Sequence, residues 1–511
     1  MTRKWWTLGI VCVATFMLLL DITIVNVALP TIAHDLQGSF SDIQWVIDAY
    51  TLTLAALLLT AGALADLFGR RLVFVLGVGL FSAASLLCGL SPDALFLILA
   101  RGVQGIGGAM MYATGLALLA QEFHGRERGT AFGIWGAAIA ASAAIGPLIG
   151  GALTDALGWS SIFFINVPVG FVVIVLTMAK IRESRDPEGQ RVDWLGTITF
   201  TGALFLLVLG LIKGNDEGWT SPLILGLFGG SVVLLVAFVI SQMVQEHPMF
   251  DLQLFRKPTF TGAAVTAFTI AASLFASFLY ISLYLQTLLG YSPLQTGIRF
   301  LPLTIVSFFG AMAAGQLANR APARLLLFVG LALSGIGMLL WRGLTPSSDW
   351  TALLAGFIVG GLGVGMVNPI LASAAIGVVP PQRSGMASGI NNTFRQVGTA
   401  TGIAALGAVF LSQLTSHLTT LLAQTPAASH VDQISRAVAA GGAQRVLGSL
   451  HGALRARATT AIETAFTAAM NDILLVAGIV AFVGAALALI LVRRRDFVTY
   501  APQEPAAVPA S

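Results

Sequence analysis

The feature that most constrains this chain is a succession of long apolar runs, each close to the roughly 20 residues a helix needs to cross a bilayer. They fall at roughly 6–28, 44–65, 72–90, 94–120, 130–153, 161–180, 194–212, 222–243, 260–287, 297–318, 324–342, 351–373, 386–414 and 473–492, fourteen segments in all. Short connections with turn-forming residues, such as Ser91-Pro92-Asp93 and Pro380-Pro381, separate many of them. Only 10% of the residues are charged, too few to cover the surface of a soluble protein 511 residues long. A soluble enzyme, a nucleic-acid binder and a disordered scaffold do not fit. The chain reads as an all-α integral membrane protein. Its first run continues past Asp21 to Pro30 without a small-residue cleavage site, which marks a spanning helix rather than a signal peptide. Cys12 and Cys88 sit inside apolar runs and read as buried thiols, outside any disulfide or metal framework.

Basic residues set the expected orientation. With the N-terminus inside, 18 of the 27 Lys and Arg residues fall on the cytoplasmic side. The short outer loops carry only Lys213 and Arg342, and three arginines (Arg101, Arg299, Arg395) lie within spans. The remaining four lie in one long outer loop, about 415–470, which its length exempts from the rule. Both termini are therefore expected in the cytoplasm.

An internal repeat divides the chain. Residues 61–80 align without gaps to 314–333, a constant offset of 253, with 8 of 20 positions identical. Gly129 and Gly133 echo Gly385 and Gly389 at offset 256. The expected organisation is an N-terminal six-helix half, 1–192, and an inserted two-helix hairpin, 193–244. A C-terminal six-helix half, 245–495, then carries the long outer loop, and a cytoplasmic tail, 496–511, ends the chain. Parallel repeats of this kind build many secondary transporters, with a substrate site near mid-membrane between the halves.

An Asp or Arg at a helix centre costs roughly 2.5–3.5 kcal/mol on insertion scales, so such groups are kept for function or paired for structure. Asp21, Asp48 and Arg101 converge at similar depth in the N-terminal half. Two acids near one arginine can hold a proton between them, or can form a fixed pair that locks helices together. Residues 62–71, with Gly62, Asp66, Gly69, Arg70 and Arg71, form a tight cytoplasmic turn. There Asp66 can accept from Arg70, Arg71 or the open N–H groups of a nearby helix start, and so gate that side. The fifth segment carries a small-residue face that includes Gly146, Pro147, Gly150 and Gly151, over which a partner helix can approach closely. The thirteenth, with Ser388, Asn391, Asn392, Arg395 and Gln396, is too polar for lipid and must line protein or a cavity. Asn26, Gln104, Tyr280 and Tyr284 join the cavity candidates, the tyrosines as part of an aromatic-rich stretch suited to flat or cationic ligands.

No G-x-x-x-x-G-K-[ST] loop, H-E-x-x-H pair or G-x-S-x-G elbow occurs, so neither an ATP engine nor an enzyme is indicated. A gradient must supply the energy, with no cofactor.

The motifs together resemble the major facilitator superfamily, and within it the fourteen-span drug:proton antiporters of bacteria. The matching stretches are Leu20 to Pro30, Gly62 to Arg71, Arg101 to Gly108 and Gly146 to Gly151, with lesser matches at Phe163 to Gly170, Asp193 to Gly196 and Gly385 to Gly398. The resemblance implies a major facilitator fold and export of small hydrophobic compounds, drugs or antibiotics, across the cytoplasmic membrane in exchange for protons. It also implies that Asp21 is a proton or cation site, that Arg101 takes part in coupling, and that Asp66 and the Gly-Arg-Arg turn gate the cytoplasmic side. The expected partners are the substrate, protons and the bilayer, with no nucleic acid and no second subunit. Some multidrug members carry extra acids deep in the C-terminal half. Here segments nine to thirteen hold none and contain Arg299 and Arg395 instead, so monocations, neutral compounds or anions fit better than dications. A dedicated exporter of one endogenous product or lipid, and a passive facilitator, are the alternatives.

Overall fold

The computed structural model describes residues 2–36, 40–123, 125–185, 193–245, 250–318, 320–380, 384–439, 443–448 and 452–497. Among them every regular element is helical. The first half runs α1 (Arg3–Asp35), α2 (Phe40–Phe68), α3 (Arg70–Gly89), α4 (Ala94–Glu122) and α5 (Gly125–Leu157), then α6 (Ser161–Phe164) and α7 (Asn166–Lys180). A hairpin of α8 (Trp194–Glu217) and α9 (Pro222–Val244) follows. The rest comprises α10 (Pro258–Ile270), α11 (Ala276–Leu283), α12 (Pro293–Leu317), α13 (Ala323–Leu340), α14 (Leu354–Gly377), α15 (Ser384–Leu422), α16 (Val431–Ala439), α17 (Ala443–Gly448) and α18 (Gly452–Leu491). Wide π turns at Ala271–Phe275 and Tyr284–Leu288 make α10 and α11 one continuous rod.

Twelve of these rods are long and apolar enough to cross a membrane, and α2 makes a thirteenth if its arms Trp45–Leu58 and Thr60–Phe68 are one span. Where a fifth span is expected, α5 is an unbroken helix of 33 residues. Its stretch Leu148–Leu157 is apolar. Local signals place the helix starts. The Asp93 carboxylate accepts from the Phe96 N–H (2.8 Å) to open α4. Ser292 and Gln295 form a reciprocal capping box at α12, with distances of 3.2 and 3.1 Å. Large apolar side chains face outward along the rods, as at Val233 (68% exposed) and Phe309 (63%), which suits lipid rather than water.

The packing follows the repeat. α2 and α3 both pack on α4, as α12 and α13 both pack on α14. Gly77 and Gly330, aligned at offset 253, do the same work in the two places. A Cβ on Gly77 would meet the Met110 Cβ at 2.7 Å, and one on Gly330 would meet the Gly363 carbonyl at 3.0 Å. The main crossings between the halves are α5 on α12 and α2 on α15, with α5 on α14 and α4 on α15 beside them. In the first, Gly129 and Gly315 lie backbone to backbone: a Cβ on Gly129 would fall 2.7 Å from the Gly315 carbonyl oxygen. The α8–α9 hairpin sits outside, with α8 against α2 and α15.

Both described ends of the chain lie at one end of the bundle. Arg3 donates to the Lys180 carbonyl (3.2 Å), and the Asp496 carboxylate accepts from the Thr259 N–H (3.0 Å). At the opposite end, α15 and α18 run on past the length a bilayer needs, being 39 and 40 residues long. Their extensions pack through Leu414, Leu418, Leu422, Ile462 and Phe466, and α16 folds back on α15. The long loop expected at about 415–470 is thus largely helical.

Candidate functional site

Asp21 lies in the middle of α1, where helix geometry leaves no backbone N–H free to meet a carboxylate. Side chains from two other helices meet it instead. Arg101 on α4 donates Nη1–H to Asp21 Oδ2 in an ion pair whose side chains are 1% and 0% exposed. Gln104, one turn further along α4, donates Nε2–H to Asp21 Oδ1 (3.0 Å), and Asn166 on α7 donates Nδ2–H to the same oxygen (3.0 Å). A second layer closes the cluster. Ser85 on α3 accepts from Gln104 (3.2 Å) and Asn166 (2.9 Å) and donates to the Phe163 carbonyl (2.9 Å). Arg101 also donates to the Val46 carbonyl (3.1 Å) and to Gln104 Oε1 (2.7 Å), with its guanidinium over the Tyr50 ring at 4.2 Å. One carboxylate therefore ties α1 to α4 and α7. A proton placed on it would discharge the pair and weaken every tie at once.

Asp21 and Arg101 are brought together. The side chains of Asp48, Asn26 and Pro147 lie outside the described residues. Sequence reasoning did not assign Asn166 and Ser85 to the site. The available signal was Asn166 itself, an amide inside an apolar run, where α6 gives way to α7.

The turn between α2 and α3 joins the halves at the end that bears the termini. Asp66 Oδ1 accepts from Arg70 Nε (3.0 Å) and Nη2 (2.7 Å), and Asp66 Oδ2 accepts from the Met386 N–H (3.2 Å) at the start of α15. Gly69 has φ +117°, a left-handed conformation open to glycine. Its missing side chain also leaves room for Glu183, which accepts from the Arg71 and Leu72 N–H groups (both 3.0 Å) and so caps α3. Gly62 is buried one turn before Asp66.

On α5, Gly146 and Gly150 face α1, where a Cβ on Gly150 would lie 2.8 Å from Ile24 Cγ1. Gly151 faces α12, at 3.4 Å from the Leu294 Cβ.

The cavity candidates among the described side chains do not form one lining. Gln104 belongs to the Asp21 cluster. Tyr280 donates to the Ile403 carbonyl (2.8 Å) and Tyr284 to the Ser348 carbonyl (3.2 Å), both buried among C-terminal helices. Asn392 donates to Ser388 Oγ (3.4 Å), and Gln396 is half-buried. Arg395 donates Nη2–H to Asn368 Oδ1 on α14 (3.0 Å) and lies 4.8 Å from the centre of the Phe275 ring.

With this geometry in hand, similarity to known proteins is informative. The family model described as Major Facilitator Superfamily matches residues 11–403. The tetracenomycin C resistance and export protein of Streptomyces glaucescens is 33% identical over 517 aligned positions, covering 100% of this chain and 95% of that one. The multidrug resistance protein Stp of Mycobacterium tuberculosis is 35% identical, covering 79% of this chain and 75% of its own length. Among solved structures, the human organic anion transporter MFSD10 superposes with a TM-score of 0.61 at 14% identity, covering 94% of this chain and 100% of that one; the likeness is one of fold. The chain belongs to the major facilitator superfamily and is a multi-pass membrane transporter, not an enzyme.

Proposed function

We propose that this transporter is a proton-coupled antiporter that exports small hydrophobic compounds across the cytoplasmic membrane by alternating access. The reading has fourteen spans, with α2 and α5 completing the set, and both termini in the cytoplasm. It works as a monomer without a cofactor. The observation that carries it is the Asp21 carboxylate, wholly enclosed in mid-helix and held by Arg101, Gln104 and Asn166. So costly a group is well suited to being charged in one state of the cycle and neutral in another. Relatives named for drug and antibiotic resistance support the direction of transport.

In the cycle, the six-helix halves 1–192 and 245–495 rock about the α5–α12 and α2–α15 crossings, with the hairpin 193–244 riding outside. A proton entering from outside neutralises Asp21 and loosens α1 from α4 and α7. Its release to the cytoplasm restores the pair. Asp66, bonded to Arg70 and to the start of α15, latches the cytoplasmic side and opens as the halves part. One unit charge crossing the membrane supplies about 2.3 kcal/mol per 100 mV, before any pH term.

The test uses purified protein in liposomes under an imposed pH gradient, with ethidium and a set of neutral and anionic dyes followed by fluorescence. Uphill movement of at least one dye that stops when nigericin dissipates the gradient supports antiport. Movement that only equilibrates concentrations, whatever the gradient, leaves a passive facilitator.

A further inference from the structure

The proposed export function leaves the chemistry of the exported compound open, and one cluster outside the Asp21 site bears on it. Between Pro258 and Leu422 the only acidic residue is Asp349, in the connection before α14. Arg395 therefore stands among helices α10–α15, which carry no carboxylate of their own within their length. It starts about 16 Å from the beginning of α15 at 1.5 Å per residue, near the middle of a roughly 30 Å hydrocarbon core. Its hydrogen bonding is correspondingly thin. Of five N–H donors, one is bonded to a neutral amide, Asn368 Oδ1 (3.0 Å), and the guanidinium has an aromatic ring, Phe275, at 4.8 Å. No carboxylate lies within 4.0 Å of it among the described residues.

Two further observations make this a site rather than a stray charge. Asn391, one helical turn before Arg395 on the same face of α15, is 6% exposed, and its Oδ1 has no hydrogen-bond partner among the described residues. Asn368 packs against α5 of the other half, with its Cβ 3.8 Å from where a side chain on Gly136 would begin. The cluster therefore stands at the seam between the halves, at the depth where a carried compound is held. It is too deep for a lipid headgroup.

We infer that Arg395, with Asn391, Asn368 and Phe275, binds an acidic group of the exported compound, so that the substrate class is flat, hydrophobic organic anions bearing a hydrogen-bond donor. Arg395 meets the carboxylate or phenolate, the Asn391 carbonyl accepts from a neighbouring hydroxyl or N–H, and Phe275 covers the flat apolar face. The assignment rests on the export reading above for its biological direction, though not for the binding chemistry.

The experiment measures equilibrium binding of three matched probes to the full-length protein in nanodiscs: 9-anthracenecarboxylate, its primary amide, and 9-anthracenylmethylammonium. The expected result is tightest binding of the carboxylate. Arg395→Gln should weaken the carboxylate by at least about tenfold while leaving the other two within about twofold. Arg395→Lys, which keeps the charge but loses the planar fork, should retain part of the preference. Equal weakening of all three probes in Arg395→Gln, a parent protein that binds the ammonium as well as the carboxylate, or no binding of any probe would each overturn the assignment. The same probes in liposomes with a pH gradient keep the two readings apart. Carboxylate that binds through Arg395 but is never moved uphill counts against coupled export and leaves the anion site standing. Gradient-driven ethidium movement without carboxylate binding does the reverse.

Discussion

The two halves each carry an arginine inside a long helix, and they treat it in opposite ways. Arg101 is enclosed: it bonds Asp21, Gln104 and the Val46 carbonyl and lies over Tyr50, with its side chain 1% exposed. Arg395, on α15, bonds one neutral amide and faces one ring. The N-terminal cluster is a closed circuit in which each charge is answered by protein. The C-terminal one is open and waits for a charge from elsewhere. An ionisable residue in a membrane helix is therefore not one kind of signal. Its meaning depends on whether the fold supplies its partner.

The contrast yields a ranked set of expectations. Arg101→Ala removes one partner of a fully buried ion pair and should cost about 3–5 kcal/mol. It should appear as poor membrane yield and a much lower melting midpoint in detergent. Arg395→Ala strands no opposite charge and should lower the midpoint far less, by the worth of one hydrogen bond, about 1 kcal/mol. Similar losses at the two sites would erase the distinction. The double change Asp21→Asn with Arg101→Gln removes both charges together and should recover most of the stability lost in Arg101→Gln alone, while gradient-driven transport stays absent. Next comes Asn166→Leu, which takes a donor from Asp21 Oδ1 and should cost about 1–3 kcal/mol, against about 1 kcal/mol for Asn368→Leu. Smallest is Glu183→Ala, remote from both arginines, which uncaps α3 at an exposed turn and should cost about 1 kcal/mol. A melting series in one detergent ranks all of these, and any reversal of order between Asn166 and Asn368 counts against the comparison.

Much of this architecture was legible in the sequence, because a bilayer imposes helix length and apolarity directly on residue order. The convergence of Asp21 and Arg101, together with Asp48, could be read from their depth, but not that Arg101 meets Asp21. The repeat at offset 253 marked Gly77 and Gly330, which prove to serve equivalent helix contacts. What was not legible depends on rotation about helix axes. Gln104 reads as a cavity residue by its type, yet the face of α4 it shares with Arg101 turns it toward Asp21. Tyr280 and Tyr284 lie in an aromatic-rich stretch that looks like a ligand wall. The π turns flanking α11 widen the helix there, and their hydroxyls end on backbone carbonyls of the same half. The fifth segment was expected to be long enough to span, and α5 is 33 residues long, with glycines that bring it close to α1 and α12. Glu183, capping α3 from over a hundred positions away, left no local trace.

The central claim is that the enclosed Asp21 couples proton movement to transport and is not only a brace. The most direct measurement compares two modes of the Asp21→Asn protein in liposomes with any dye the parent moves. One is uphill accumulation driven by a pH gradient. The other is exchange of labelled for unlabelled dye with no gradient. Asparagine keeps the shape and an acceptor oxygen for Gln104 and Asn166 but takes no proton. The account predicts that exchange persists and gradient-driven accumulation is lost. Accumulation that survives in Asp21→Asn would contradict it, and loss of both modes would reduce Asp21 to a structural pair with Arg101.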